Sequence, residues 1–153
     1  KELSPLIRQR QLAFTQAVAK DVATFYADPN LAGQAFSNII GNAVKYTPEG
    51  GSIALDVFVE GGETVFRVKD TGLGIPEGQQ YRVFAKFFRG ENVAALETVG
   101  TGLGLYFVKT IIELSGGRVW FTSKENKGTT FNIALPNAPK ALPVSEDGGT
   151  LAP

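Results

Sequence analysis

The chain of 153 residues contains no cysteine and no histidine. Without cysteine there is no disulfide, no zinc–thiolate site and no thiol nucleophile. Without histidine there is no imidazole acid or base, no Ser-His triad, and no phosphohistidine formed on this chain itself. Neither sign of charge dominates, since 15 Lys and Arg balance 15 Asp and Glu. A neutral chain lacking a basic cluster argues against sequence-independent nucleic-acid binding. No apolar run approaches membrane-spanning length and no signal peptide opens the chain, so direct membrane insertion is not expected. What is present is a 43% apolar composition at a length that suits one domain with a real core.

The most informative stretch runs from Ser37 to Pro48. At 3.6 residues per turn, Asn38, Asn42 and Lys45 stand above one another, while Phe36, Ile39, Ile40, Ala43 and Val44 take the opposite side. Such a helix packs one face on a core and offers two amides and an ammonium to solvent or to a cavity. An amide carbonyl suits a hard cation such as Mg²⁺, and a lysine suits phosphate oxygens. The same stripe is also what an ordinary surface helix shows.

Around it the chain reads as alternating helices and hairpins. Ser4 and Pro5 open a helical turn as N-cap and first residue, and Leu12 to Val18 alternates as a strand. Asp28-Pro29 starts the striped helix and Thr47-Pro48 ends it. Ile53, Leu55, Val57 and Val59 alternate with polar or smaller residues, Gly61-Gly62 turns, and Thr64 to Lys69 returns. Residues 103 to 115 recover helical spacing up to Gly116-Gly117, and 119–121 pairs with 129–135. The pattern predicts an α+β fold: a two-layer sandwich, one mixed sheet with helices on one face. After Pro136 periodicity is lost in favour of Pro, Ala, Gly and acidic residues, so 137–153 reads as a tail beyond a domain spanning 1–136.

Some thirty residues between Lys69 and Gly102 carry little regular pattern, which marks a functional loop. Both borders are glycine-rich: Asp70-Thr71-Gly72-Leu73-Gly74-Ile75 and Gly100-Thr101-Gly102-Leu103-Gly104-Leu105. The second border opens a helix, where free N–H groups and the positive dipole end suit a polyphosphate. No buried parallel strand precedes it, as a dinucleotide fold requires, and no Gly-Lys-Ser/Thr follows, as a Walker loop requires. Asp70 stands at the end of a strand, where a carboxylate can accept from an exocyclic amine and so select adenine over guanine.

Four motifs in this order resemble the catalytic ATP-binding domain of bacterial sensor histidine kinases, within the gyrase, chaperone, histidine-kinase and mismatch-repair ATPase superfamily. The N box matches Asn38 to Tyr46, the first G box Asp70-x-Gly72-x-Gly74, the F box Phe84 to Arg89, and the second G box Gly100-x-Gly102-x-Gly104. The resemblance covers residues 3 to 136 and implies a Bergerat-type sandwich with a long ATP lid. It implies Mg²⁺ on Asn42 with Asn38 in support, phosphate on Lys45, and Tyr46 beside the nucleotide. Asp70 would bind the adenine amine, with Thr130 sharing a water beneath the ring. Gly72, Gly74 and Ile75 would border the base, and Phe87 would lie by the nucleotide and help anchor the lid. Gly100, Thr101, Gly102, Leu103, Gly104 and Leu105 would offer amides to the phosphates, and Arg89 would meet the γ-phosphate.

Relatives that hydrolyse ATP carry a glutamate four residues before the Mg-binding asparagine; here that position is Asn38. An amide is no general base, so the resemblance implies ATP held without hydrolysis. The γ-phosphate would go to a histidine on a separate dimerisation domain, and from there to a response regulator, in the cytoplasm. Lys1-Glu2-Leu3-Ser4-Pro5 does not supply that acceptor, since Lys1 stands where histidine would be and Pro5 comes one residue early. Two readings remain: a phosphotransferase half-site, or a module that senses ATP or ADP and acts only through contact with a partner.

Overall fold

The computed structural model describes residues 3–22, 24–90 and 101–138. The order of elements is α1 (Ser4–Gln9), β1 (Ala13–Val18), α2 (Pro29–Tyr46), β2 (Ser52–Glu60), β3 (Glu63–Asp70), a 3₁₀ turn (Glu77–Arg82), α3 (Gly104–Leu114), β4 (Arg118–Lys124) and β5 (Gly128–Pro136). One five-stranded sheet runs β1-β2-β3-β5-β4. Only the β1–β2 pair is parallel, because α2 carries the chain between β2 and the edge strand β1. The tight turns at Gly61-Gly62 and 124–128 make β2–β3 and β4–β5 antiparallel, and β3 also pairs antiparallel with β5. The α+β sandwich expected from the residue pattern is therefore observed.

The core forms where the period-two face of the sheet meets the helices. Ile53, Val68, Phe131, Ile133 and Leu135 face Ala35, Ile39, Ala43 and Val44 of α2 and Val108 and Ile112 of α3. Burying each large aliphatic side chain contributes about 1.5–3 kcal/mol, which is why the alternation of β5 and the stripe of α2 fix this pairing. Both ends of α2 are tied. Asp28 Oδ1 accepts from the N–H groups of Asn30 at 2.8 Å and Leu31 at 3.0 Å. The Arg10 guanidinium donates to the carbonyls of Val44 and Lys45, placing a cation at the negative end of the dipole.

Two boundaries depart from expectation. Leu3, not Ser4, precedes the first helix, and no side chain caps it. Pro5 then sits one position further inside, where its missing N–H still costs nothing. At the other end Asn137, just beyond β5, is tied to the sheet: its N–H donates to Gly62 O at 3.1 Å and its Oδ1 accepts from Thr64 Oγ1 at 2.7 Å. The rest of the expected tail, 139–153, lies outside the described residues, as do residues 91–100 of the expected lid. The described part of that loop is packed down. Val83 joins the core, Phe84 meets Phe121 and Phe131 edge-on, and Gln80 Nε2 donates to Ile75 O and Ser123 O. Among the described residues no helix is long and apolar enough to cross a membrane.

Candidate functional site

A cavity of about 500 Å³ opens where the polar stripe of α2 faces the N-terminus of α3, with Asp70 and Thr129 from the sheet and Phe88, Arg89 and Gly90 from the loop completing its walls. Asn38, Asn42, Lys45 and Tyr46 all line it. The stripe predicted from helical spacing thus points into a pocket and not into bulk water. Lys45 Nζ lies 5.1 Å from the centroid of the Tyr46 ring, a cation–π contact that leaves the ammonium near the cavity wall.

Asp70 is the buried charge of the site, with 7% of its surface exposed. Its Oδ1 accepts from Gly72 N at 2.8 Å and from Thr129 N at 3.1 Å. Burial raises its pKa, and the two backbone hydrogen bonds oppose that rise. Because both bonds go to one oxygen, the other stays available at the cavity, an acceptor in an otherwise apolar corner beside Ile75 and Phe131. A flat base bearing an amino group satisfies that geometry.

At the opposite end, α3 begins at Gly104 directly against α2. A Cβ built on Gly104 would lie 2.8 Å from Asn38 Oδ1, so any larger residue there has to displace the Asn38 amide. Asn38 is itself held by Nδ2, which donates to Gln34 O at 3.0 Å. Gly102, with φ at 71°, turns the chain past the backbone of Phe87 and Phe88. The N–H groups of the first turn of α3 have no intrahelical acceptor, and Gly104 and Leu105 carry theirs at the cavity wall.

Of the residues expected at the site, Asn38, Asn42, Lys45, Tyr46, Asp70, Gly74, Ile75, Arg89, Thr101, Gly102, Gly104 and Leu105 come together around this cavity. Gly100 lies outside the described residues. Thr130 does not face Asp70. It pairs with Lys69 and Thr122 on the outer face of the sheet, and Thr129 takes the inner position. The alternation of Thr129, Phe131, Ile133 and Leu135 already carried that parity. Phe87 is 72% exposed, because a positive φ of 61° turns its ring to solvent, and Phe88 lines the pocket in its place. Gly72 acts behind the wall, orienting Asp70 through its N–H, and Leu103 is the residue before α3 and not part of the lining. Gln34, Ser37 and Gly41 also line the cavity and were missed, though they fall on the same helical face as Asn38.

A cation here would have few protein ligands. Among the described residues there is no group of three His, Cys, Asp or Glu able to hold a metal. Asn42 lines the cavity together with Lys45 and the start of α3, and its side-chain carbonyl is a donor that would suit a Mg²⁺ ion keeping most of its water.

Comparison with known proteins agrees with this geometry. Residues 27–139 match the family model of the histidine kinase-, DNA gyrase B- and HSP90-like ATPases. The circadian input-output histidine kinase CikA of Synechococcus elongatus is 37% identical over 134 residues, which is 88% of this chain but 18% of that protein. The full-length structure of ShkA in complex with AMPPNP superposes with a TM-score of 0.75 at 30% identity, covering 94% of this chain and 29% of that one. The histidine kinase ThkA in complex with the response regulator protein TrrA gives 0.74 at 25%, covering 92% and 39%. The chain spans a small part of these proteins. The matched residues 27–139 include the acid at the end of β3, the two amides of α2 and the glycine that opens α3, and this chain belongs to the histidine kinase-, gyrase B- and HSP90-like ATPase family as an ATP-binding domain.

Proposed function

We propose that the domain holds Mg-ATP and presents its γ-phosphate to a histidine on a separate dimerisation domain, from which a response regulator is phosphorylated. The observation that carries this reading is Asp70, buried and fixed through one oxygen by Gly72 and Thr129, with its second oxygen at the cavity. That oxygen accepts the adenine amine, and Ile75 and Phe131 bracket the ring. Lys45, Arg89 and the opening N–H groups of α3 neutralise the phosphates. Asn42 offers its carbonyl to Mg²⁺, which when bound offsets charge on the phosphate oxygens. No carboxylate stands at Asn38 to take a proton from water, so phosphoryl transfer awaits an incoming imidazole. The ShkA complex with AMPPNP and the ThkA complex with TrrA support nucleotide binding and two-component signalling in relatives. We infer a cytoplasmic location, a reading that the need for ATP supports.

The test is to mix the chain with a histidine-bearing dimerisation domain from a related kinase and γ-labelled ATP. Acid-labile label on the dimerisation domain, lost in Asn42→Ala, is the expected result. ATP binding without transfer to that dimerisation domain would favour the nucleotide-sensing alternative.

A further inference from the structure

Beneath α2, on the side away from the polar stripe, the core is incompletely filled. A second cavity of about 240 Å³ lies between Phe36, Ile39 and Ile40 of α2 and the inner face of the sheet, with Leu55, Val68 and Phe131 among its walls. Every lining side chain is apolar, and a water needs two to four polar partners to occupy such a space. Cavities of this chemistry stay dry and take up small apolar molecules; a volume of about 150 Å³ suffices for benzene. Phe36 and Phe66 stand 4.3 Å apart at a 35° tilt on its wall, and Phe25 meets them edge-on at 6.4 and 5.2 Å, so that wall belongs to a three-ring aromatic cluster.

This cavity is not isolated from the nucleotide pocket. Phe131 lines both. Ile39 and Ile40 alternate along α2 with Asn38, Gly41 and Asn42, so the floor of one cavity is the back of the other. Unfilled space leaves these residues short of packing partners on one side. An occupant restricts Phe131 and the middle of α2, and a nucleotide that binds afterwards has less ordering to impose.

We propose that the cavity beneath α2 is a second ligand site, taking a single-ring aromatic hydrocarbon without hydrogen-bonding groups, and that its occupancy tightens the nucleotide pocket. The coupling rests on the nucleotide reading given above; the binding does not. Toluene is the probe. Titrated into the nucleotide-free domain, it gives saturable shifts of the Ile39 and Ile133 methyl resonances and raises Tm. Calorimetry with Mg-ATP then gives at least a twofold tighter Kd at saturating toluene. Leu55→Trp, which fills the cavity from β2, abolishes the methyl response, and toluene no longer changes the ATP affinity of that variant. Should that variant fail to fold, Val57→Ile adds one methylene to the wall and weakens toluene binding instead. Absence of saturable shifts up to the solubility of toluene overturns the site, as does displacement of toluene by ATP. An ATP affinity that toluene leaves unchanged overturns the coupling. A domain that binds toluene but no ATP would refute the nucleotide assignment while leaving the cavity site standing.

Discussion

Asp70 concentrates the cost and the benefit of this site in one side chain. Burial disfavours its charged form, so its native pKa stands above the unfolded value. A raised carboxyl pKa contributes stability that is fully present below the unfolded value near 3.9 and is lost as pH rises through the native one. Asp70→Asn keeps Oδ1 and with it the bonds from Gly72 and Thr129, and removes the charge. The variant is therefore expected to be at least as stable as the parent at neutral pH without nucleotide, by an advantage that shrinks on acidification. Urea titrations of both proteins at about pH 4 and pH 7 check this. Its ATP affinity should fall about tenfold to a hundredfold, the worth of a charge-assisted hydrogen bond of about 1.5–3 kcal/mol. Unchanged affinity by calorimetry would remove Asp70 from the base pocket. At this scale the residue types were readable and the facing was not always so. Asp70 and Asn42 were found from motif spacing, whereas Thr129 and Thr130 are chemically alike and only strand parity separates them.

The elements that matter are α2 and α3, and they meet at a point where one has no side chain. Gly104→Ala places a methyl group 2.8 Å from Asn38 Oδ1. Helix propensity favours Ala over Gly by up to about 1 kcal/mol, so the fold itself is not expected to suffer. The displaced amide and the shifted first turn of α3 should instead weaken ATP binding about tenfold, or about 1.4 kcal/mol. In an Asn38→Ala background the same substitution should cost much less, because the clash is already gone. Equal losses in both backgrounds would show that Gly104 acts without Asn38. Asp28→Ala tests the other end of α2: loss of the cap should lower stability by about 1 kcal/mol, read as a shift in the urea midpoint. The Asp28 cap of α2, the hairpins and the helical stripe were legible, since each is set by neighbours in sequence; the cap expected at Ser4 was not there, because the first helix begins one residue earlier. The packing of the 3₁₀ turn, Val83 and Phe84 onto the core was not, because those residues have no period of their own. Their partners, Phe121 and Phe131, are distant in the chain.

At the scale of the whole molecule, the arrangement argues for a site that retains ATP. The cavity gathers cations and helix N–H groups at one end and an acceptor for the base at the other, with an amide where a water-activating base would stand. Asn38 is committed to Gln34 O through its donor and abuts Gly104 through its acceptor, so it is a structural contact between helices as well as a non-base. The domain alone is expected to bind Mg-ATP without appreciable turnover. Asn42→Ala should weaken binding in the presence of Mg²⁺ and leave affinity for metal-free nucleotide nearly unchanged, because it removes one ligand from a cation that keeps several waters. Asn38→Glu would place a carboxylate at the right position on α2, though against the opening of α3, and slow ATPase activity in that variant would support the base argument. The decisive measurement is steady-state hydrolysis by the unmutated domain. Turnover near about 1 per second, an ordinary enzymatic rate, that persists through purification and vanishes in Asn42→Ala would show that water is activated here without a carboxylate at position 38.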